Sequence, residues 1–149
     1  MERHMNGNIV KGKRVGNFFL GMPEEDLLKE LAQPFGIENR HGCTVYEAEH
    51  VSFFVDDKTK KVYQICVTEG FQGKFLNHYG IGSDLLDVDP DPKNWHVDWE
   101  ASCYSSVKHR GIIFELEEDA IMYEVEKGKE FPIGWICIAH PSMYEDGEE

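Results

Sequence analysis

The stretch Val51–Val67, VSFFVDDKTKKVYQICV, predicts the structure around it. Both of its arms are rich in β-branched and aromatic residues, which suit a pleated, half-buried surface. Between the arms lies the charged run 56–61, DDKTKK, which is costly to bury and is therefore expected at the tip of a turn. The stretch therefore predicts a β-hairpin.

Further elements lie on both sides of this hairpin. Upstream, GMPEEDLLKEL predicts a helix with Pro23 at its first position, an acidic first turn and an end before Pro34. Downstream, Ser102–Val107 and Gly111–Leu116 predict a second hairpin. The apolar run Ile133–Ala139, IGWICIA, predicts a central strand.

Short strings recur in the same order in the two halves of the chain. The matched strings are Gly21-Met22 with Gly80-Ile81, Asp26-Leu27-Leu28 with Asp84-Leu85-Leu86, Ser52–Asp56 with Ile112–Leu116, and Ile65-Cys66-Val67 with Ile136-Cys137-Ile138. This order predicts two degenerate helix-then-strands repeats that share one sheet, and a chance match of short apolar strings is the alternative. Either way, we expect an α+β fold, a mostly antiparallel sheet with short helices on one face.

Length and charge limit the classes of function. The 149 residues predict a single domain, with residues 1–14 and 142–149 as loose tails. The chain has 28 acidic and 15 basic residues, a net charge of −13. This charge argues against nucleic acid as a partner, because phosphate contacts need Lys and Arg. It favours a cationic protein partner, or it serves solubility alone.

The cysteines and the absence of long apolar runs predict a cellular location. Cys43, Cys66, Cys103 and Cys137 form no CxxC pair and lie in apolar or strand-like runs, so we expect reduced, buried thiols and no zinc site. The first residues lack the apolar segment of a signal peptide, and no run approaches the ~20 residues that span a bilayer. These features predict a cytoplasmic protein that does not contact a membrane.

No sequence motif predicts an enzyme. The seven histidines lack HExxH and HxH spacing, and the glycines of 70–82 form neither a GxGxxG nor a Walker pattern. A Cys–His pair that uses Cys43 or Cys103 is a weak candidate, because a Cys with apolar neighbours is usually inert. The acids of 115–119 are more typical of a solvated turn than of catalytic carboxylates. We therefore expect no catalytic activity, no cofactor and no metal.

The acidic segment 84–100, DLLDVDPDPKNWHVDWE, has the most unusual local composition. Its acids are spaced as in a calcium loop, but Pro92 stands where an EF-hand needs Gly and Asp98 where it needs Glu. Indoles beside carboxylates are typical of interface hot spots, whereas we expect Trp135, in the central strand, to belong to the core. The predicted partner-binding residues are Asp87, Asp89, Asp91, Trp95, Asp98, Trp99 and Glu100, with Glu117, Glu118 and Asp119 as a second patch.

The segments LGMPEEDLLKEL and GIGSDLLDV, together with the first hairpin, resemble those of small bacterial proteins with tandem helix-plus-strand units. These include inhibitors of the β-lactamase-inhibitor-protein type and immunity proteins of polymorphic-toxin and contact-dependent growth-inhibition systems. The resemblance covers most of Val15–Ala139. It implies a stoichiometric inhibitor that neutralises a basic toxin, commonly a nuclease.

Two other functions remain open from the sequence. One is a small-molecule-binding or hydrolytic α+β domain with a pocket between sheet and helices. The other is a regulatory module that forms homodimers through a sheet edge. For the inhibitor itself we expect a monomer or a weak homodimer.

Overall fold

The computed structural model describes residues 8–31, 36–98, 103–117 and 130–140. Within these ranges the chain forms an eight-stranded sheet, a three-stranded sheet and two short α-helices. The neighbouring strands in both sheets run antiparallel, which confirms the predicted α+β class. In the same ranges, no helix has the length and apolar character that crossing a bilayer requires.

The smaller sheet comes first in the chain. It consists of β1 (Ile9–Val10), β2 (Arg14–Val15) and β3 (Phe18–Phe19). The Ile9 N–H donates to the Lys74 carbonyl at 2.8 Å, and the Gly12 N–H donates to the Gly111 carbonyl at 3.0 Å. Residues 8–14 were expected in a loose tail, and instead they are hydrogen-bonded to the rest of the domain.

The helices are short. Helix α1 spans Glu24–Glu30, and Pro23 is its N-cap residue and not its first helical residue. Helix α2 spans Leu85–Val88, and the Asp84 carboxylate caps it by accepting a hydrogen bond from the Leu86 N–H at 3.2 Å. A 3-10 helix, Pro92–Asn94, follows.

The larger sheet has the strand order β4-β5-β6-β7-β11-β10-β9-β8. Its strands are β4 (Gly36–Arg40), β5 (Cys43–Glu47), β6 (Val51–Asp56), β7 (Val62–Thr68), β8 (Trp95–Asp98), β9 (Cys103–Ser106), β10 (His109–Leu116) and β11 (Ile133–Ala139). Both predicted hairpins and the predicted central strand are confirmed. The edge strands β4 and β8 were not predicted.

The larger sheet consists of two four-stranded meanders that meet where β7 pairs with β11. Each meander follows a helix, so the predicted helix-then-strands repeat is confirmed. Both meanders also contain a bulge at the equivalent position of their pairing, after Phe54 in β6 and after Glu115 in β10. Cys66 and Cys137 are equivalent residues and lie directly opposite each other, so an approximate two-fold axis passes between them.

The details of the predicted repeat need correction. Val51 pairs with Val67, and Ile112 pairs with Ile138, the residue equivalent to Val67. The residue equivalent to Ile112 is therefore Val51 and not Ser52. A shift of one residue exchanges the two faces of a strand, so the predicted alignment placed core residues opposite surface residues.

The turn before each helix is also repeated, but the equivalent glycines are not the pair that we predicted. The equivalent of Gly21 is Gly82 and not Gly80. Gly21 donates its N–H to Val62, and Gly82 donates its N–H to Ile133, the residue of β11 that is equivalent to Val62.

One face of the larger sheet forms the core. Phe53, Ile65 and Ile112 are fully buried there, in one cluster with Leu27 of α1 and Leu85 of α2. The smaller sheet joins this cluster through Phe18, whose ring centroid lies 4.7 Å from that of Phe53. Helices and smaller sheet therefore cover the same face, as the sequence predicted for the helices.

A disulfide joins Cys66 to Cys137 across the central strand pair, where their Cα atoms are 4.0 Å apart. The expectation that all four cysteines are reduced is therefore wrong for this pair. Neighbouring antiparallel strands bring the two side chains onto the same face at close range. Cys43 and Cys103 are free and buried.

Candidate functional site

One carboxylate of the acidic segment, that of Asp89, is buried and fixes the segment by hydrogen bonds. Asp89 is only 1% exposed, and its carboxylate accepts hydrogen bonds from Ser106 Oγ at 2.6 Å, Asn94 Nδ2 at 3.2 Å and the Asp91 N–H at 3.3 Å. Burial raises the pKa of Asp89, but these hydrogen bonds and the charge of Lys108 outweigh that effect and hold the pKa below its usual value. Asp89 is therefore an ionised structural residue.

The positions of two tryptophans are the reverse of those expected. Trp95 is buried, its indole N–H donates to the Asp89 carbonyl at 2.9 Å, and its ring meets that of Phe114 edge-on at 5.7 Å. Trp135, expected in the core, is 42% exposed. Of the two tryptophans that the structure describes, the one available to a partner is therefore Trp135 of β11.

The remaining predicted residues fall into two groups. Asp87, Asp91, Asp98 and Glu117 are exposed, so a role in binding stays a prediction for them. Trp99, Glu100, Glu118 and Asp119 lie outside the described residues.

Three of the described exposed acids, Asp91, Asp98 and Glu117, are divided between the two ends of β9. The Asp91 carboxylate caps the 3-10 helix by accepting a hydrogen bond from Lys93, close to the Ser106 end of β9. Asp98 pairs with Cys103 at the other end of β9, which is also where β10 ends and Glu117 follows.

An open cleft of about 410 Å³ lies beside Trp135. It is lined by Thr68, Glu69, Ile81, Glu117, Gly134 and Trp135. The end of β7 supplies Thr68, which pairs with Trp135 across the sheet, and the end of β10 is followed by Glu117. The cleft therefore lies at one end of the three central strands, which form a rigid base for it.

The charged residues among the described lining of the cleft are acidic. Glu69 and Glu117 are exposed, and none of the described residues that line the cleft is basic. Glu115, the cross-strand partner of Trp135, is half-buried, and burial raises its pKa. The result is an aromatic surface with a carboxylate rim, the arrangement that we predicted for the acidic segment, at a different place in the fold.

The structure bears on one of the catalytic candidates, the thiol of Cys103. Burial raises the pKa of the Cys103 thiol to about 11, with a further contribution from the charges of Asp98 and Glu115. A thiol with this pKa is protonated at neutral pH and is a weak nucleophile. Among the residues that the structure describes, no group of three or more His, Cys, Asp and Glu side chains is arranged to hold a metal ion.

Sequence reasoning missed the cleft, although Gly134 is a signal for it. A glycine inside a strand often marks a bulge. In β11 the bulge at Gly134 shifts the alternation, so that Ile133 and Ile136 point to the core while Trp135 points away. A regular alternation would instead place Ile133 and Trp135 on the same face.

The similarity of this chain to known proteins is a similarity of fold. No family model and no curated protein matches this sequence. Among solved structures, the chain is similar to the uncharacterized protein YfeY of Escherichia coli, with a TM-score of 0.55, 11% identity, and coverage of 89% of this chain and 99% of that chain. A weaker likeness, to a cysteine-rich secretory protein of Staphylococcus aureus, has a TM-score of 0.46 and 14% identity and covers 96% of this chain and 50% of that chain.

Proposed function

We propose that this chain is a non-enzymatic inhibitor that binds a cationic protein through the cleft at Trp135. One observation carries the proposal: an indole that is 42% exposed lies in an open cleft beside Glu69 and Glu117. An accessible tryptophan is a common centre of an interface, and a carboxylate rim selects for a positively charged partner.

The net charge supports the same proposal at longer range. A charge of −13 steers a cationic protein towards the surface and accelerates its association. The resemblance to immunity proteins supports a toxin as the partner. A nuclease toxin is a suitable candidate, because it carries positive charge to hold its own substrate.

The disulfide is relevant to the cellular compartment in which the protein meets its partner. We predicted a cytoplasmic location from the sequence, but disulfides such as Cys66–Cys137 persist mainly in oxidising compartments. This favours an encounter with the cationic toxin outside the cytoplasm, before the toxin reaches its substrate.

The test is to mix the purified protein with purified cationic toxin domains, nucleases among them, and to measure association and dissociation rates. We expect Trp135→Ala to weaken binding by ~2 kcal/mol, a factor of about 30, mainly through faster dissociation. We expect Glu69→Gln with Glu117→Gln to slow association and to reduce its dependence on salt.

Phe19→Ala is the matched control for Trp135→Ala. Phe19 is 45% exposed, similar to Trp135, and lies on β3 next to the start of β7, at the opposite end of that strand from the cleft. We expect this variant to bind normally. The proposal is contradicted if the complex forms equally well with all three cleft substitutions in place.

A second candidate, a homodimer through a sheet edge, is favoured by strand β4. All five of its residues are exposed, including Ile37 at 60%, and it is an outer strand of the larger sheet. An exposed edge strand is a template for pairing with another strand. Solution mass distinguishes the two candidates, because the inhibitor is expected as a monomer until its partner is added.

A further inference from the structure

The bulge that borders the cleft has an equivalent in the first repeat, where it carries a tyrosine side chain. Tyr63 in β7 and Gly134 in β11 are the equivalent extra residues that the two bulges leave without a cross-strand partner. The Tyr63 ring meets the ring of Phe54 edge-on, with 6.2 Å between the two centroids. At the equivalent position in the second repeat Gly134 supplies no side chain, and the cleft is open there.

The surroundings of this place differ in charge between the repeats. The register makes Glu115 the equivalent of Phe54, and Trp135 the equivalent of Gln64. Both repeats therefore have one aromatic residue beside the bulge. The second repeat, however, has an acid where the first has a phenyl ring.

The first repeat has an arginine close to its bulge, in contact with an aromatic ring and a carboxylate. The Arg40 guanidinium lies over the Phe54 ring, 5.5 Å from its centroid, and forms an ion pair with Glu38 at 3.1 Å. Its charge also acts on the neighbouring Tyr63. Tyr46 and Tyr104 are equivalent, because they pair with the equivalent Phe53 and Phe114. Their partners on the edge strands are Ile37 and Val97, so the residues that follow these, Glu38 and the exposed Asp98, are also equivalent.

We propose that the cleft receives an arginine side chain of the partner, beside Gly134 and Trp135. A guanidinium is flat, so it stacks on the indole of Trp135, and its fork of donors matches the carboxylate of Glu69 or Glu117. A lysine ammonium is a strongly hydrated point charge that gains less from the indole face. The inference rests on the proposed function, since it names the group by which the cationic partner is held.

Three short capped peptides of the form Gly-X-Gly test this inference, where X is arginine, lysine or citrulline. Citrulline has the shape of arginine without its charge. The measurement is a titration of the isotope-labelled protein, followed by NMR at the Trp135 indole N–H. We expect the arginine peptide to shift this signal saturably, the lysine peptide to bind roughly tenfold more weakly, and the citrulline peptide to cause no shift.

Two variants test the place of binding. Gly134→Tyr restores the side chain of the first repeat and is expected to abolish the shift. A Cβ atom at Gly134 comes within 3.3 Å of the Glu117 nitrogen, so this variant can disturb the fold. Glu69→Gln with Glu117→Gln leaves the backbone unchanged and is expected to weaken the arginine peptide roughly tenfold. Glu25→Gln, an exposed acid on α1, is the control and is expected to have no effect.

The outcomes separate the inference from the function on which it rests. If lysine shifts the Trp135 signal as strongly as arginine, the arginine inference is overturned while a cationic partner remains supported. Equal binding of citrulline also overturns it, because charge then plays no part. If neither cationic peptide moves the Trp135 signal, both the inference and the proposed use of this cleft are contradicted.

Discussion

At the scale of single residues, Asp89 connects the acidic segment to the sheet. Its carboxylate takes hydrogen bonds from β9, from the 3-10 helix and from the backbone of Asp91, while its carbonyl accepts from Trp95. Three donors favour the ionised form of this buried carboxylate, because hydrogen bonds to a carboxylate are stronger than those to a neutral carboxyl group.

Asp89→Asn should therefore change how stability depends on pH. The folded pKa of Asp89 is lowered, so its contribution is present above the unfolded value of about 4 and is lost as pH falls through the folded value. We expect a loss of ~2 kcal/mol at neutral pH and a shallower acid decline than in the parent protein. Urea denaturation at several pH values measures this. Asp87→Asn, at an exposed site, should keep the parental profile, and an identical acid decline in Asp89→Asn would contradict the assignment.

The two tryptophans should differ sharply in their effect on stability. Trp95 fills the core against Phe114, so Trp95→Ala should lower the free energy of unfolding by ~3–5 kcal/mol. Trp135→Ala should cost about 1 kcal/mol or less, because much of the indole is already in water. Denaturant titration of both variants checks this. Equal losses from the two variants would show that the indoles are not placed as described.

The cleft shows why single-residue roles were harder to predict than strands. The run IGWICIA predicted β11 with its observed bounds, because seven apolar residues carry a strong strand signal. Which face Trp135 takes depends on a bulge at Gly134 that only the pairing with β10 reveals. Likewise, the burial of Asp89 depends on Ser106, which comes from a strand that is distant in sequence.

At the scale of elements, the two repeats use the same turn before each helix. Gly21 and Gly82 have φ of +90° and +94°, and each donates its N–H to the equivalent strand position in its repeat. This conformation is strained for residues with a Cβ. The repeat is therefore preserved in backbone geometry at places where the sequences differ, which is why matching short strings found the repeat but misplaced its register.

Substitution of either glycine should have the same cost. No atom lies within 4 Å of a Cβ added at Gly21 or Gly82, so the penalty for alanine comes from the backbone alone. We expect each variant to lose ~1 kcal/mol in chemical denaturation. Gly36→Ala, in an exposed strand without a positive φ, is the control and should change stability little. A difference of several-fold between Gly21→Ala and Gly82→Ala would argue against equivalent turns.

The edge strands mark the limit of pattern-based prediction for elements. Strand β4, GIENR, is exposed along its whole length, so it has no alternation of apolar and polar residues to detect. Strand β8 follows two prolines and the 3-10 helix, in a segment whose composition is typical of a loop. Central strands were predictable because burial shapes their sequence, and edge strands are free of that constraint.

At the scale of the whole molecule, the disulfide joins the two repeats on their approximate two-fold axis. Cys66 and Cys137 are 71 residues apart in sequence, so the bond closes a long loop of the unfolded chain. Loop-closure entropy for this length predicts ~4 kcal/mol of stabilisation. The bond therefore holds together two halves that otherwise meet through β7, β11 and the shared core.

The protein should show two reactive thiols in denaturant, and not four. Cys43 and Cys103 are the free cysteines, so a thiol reagent should modify two groups before reduction and four after it. Reduction, or Cys66→Ala with Cys137→Ala, should lower the free energy of unfolding by ~4 kcal/mol. Four reactive thiols in protein isolated without reductant would contradict the disulfide and with it the argument for an oxidising compartment.

In the proposed complex, a cationic partner covers the cleft at Trp135. Hydroxyl-radical footprinting of the protein, alone and in complex with its partner, measures the exposure of each aromatic side chain directly. We predict that oxidation of Trp135 falls strongly in the complex, while Phe19 remains equally reactive and Trp95 is protected in both states. Oxidation of Trp135 at the same rate with and without the partner would contradict the account.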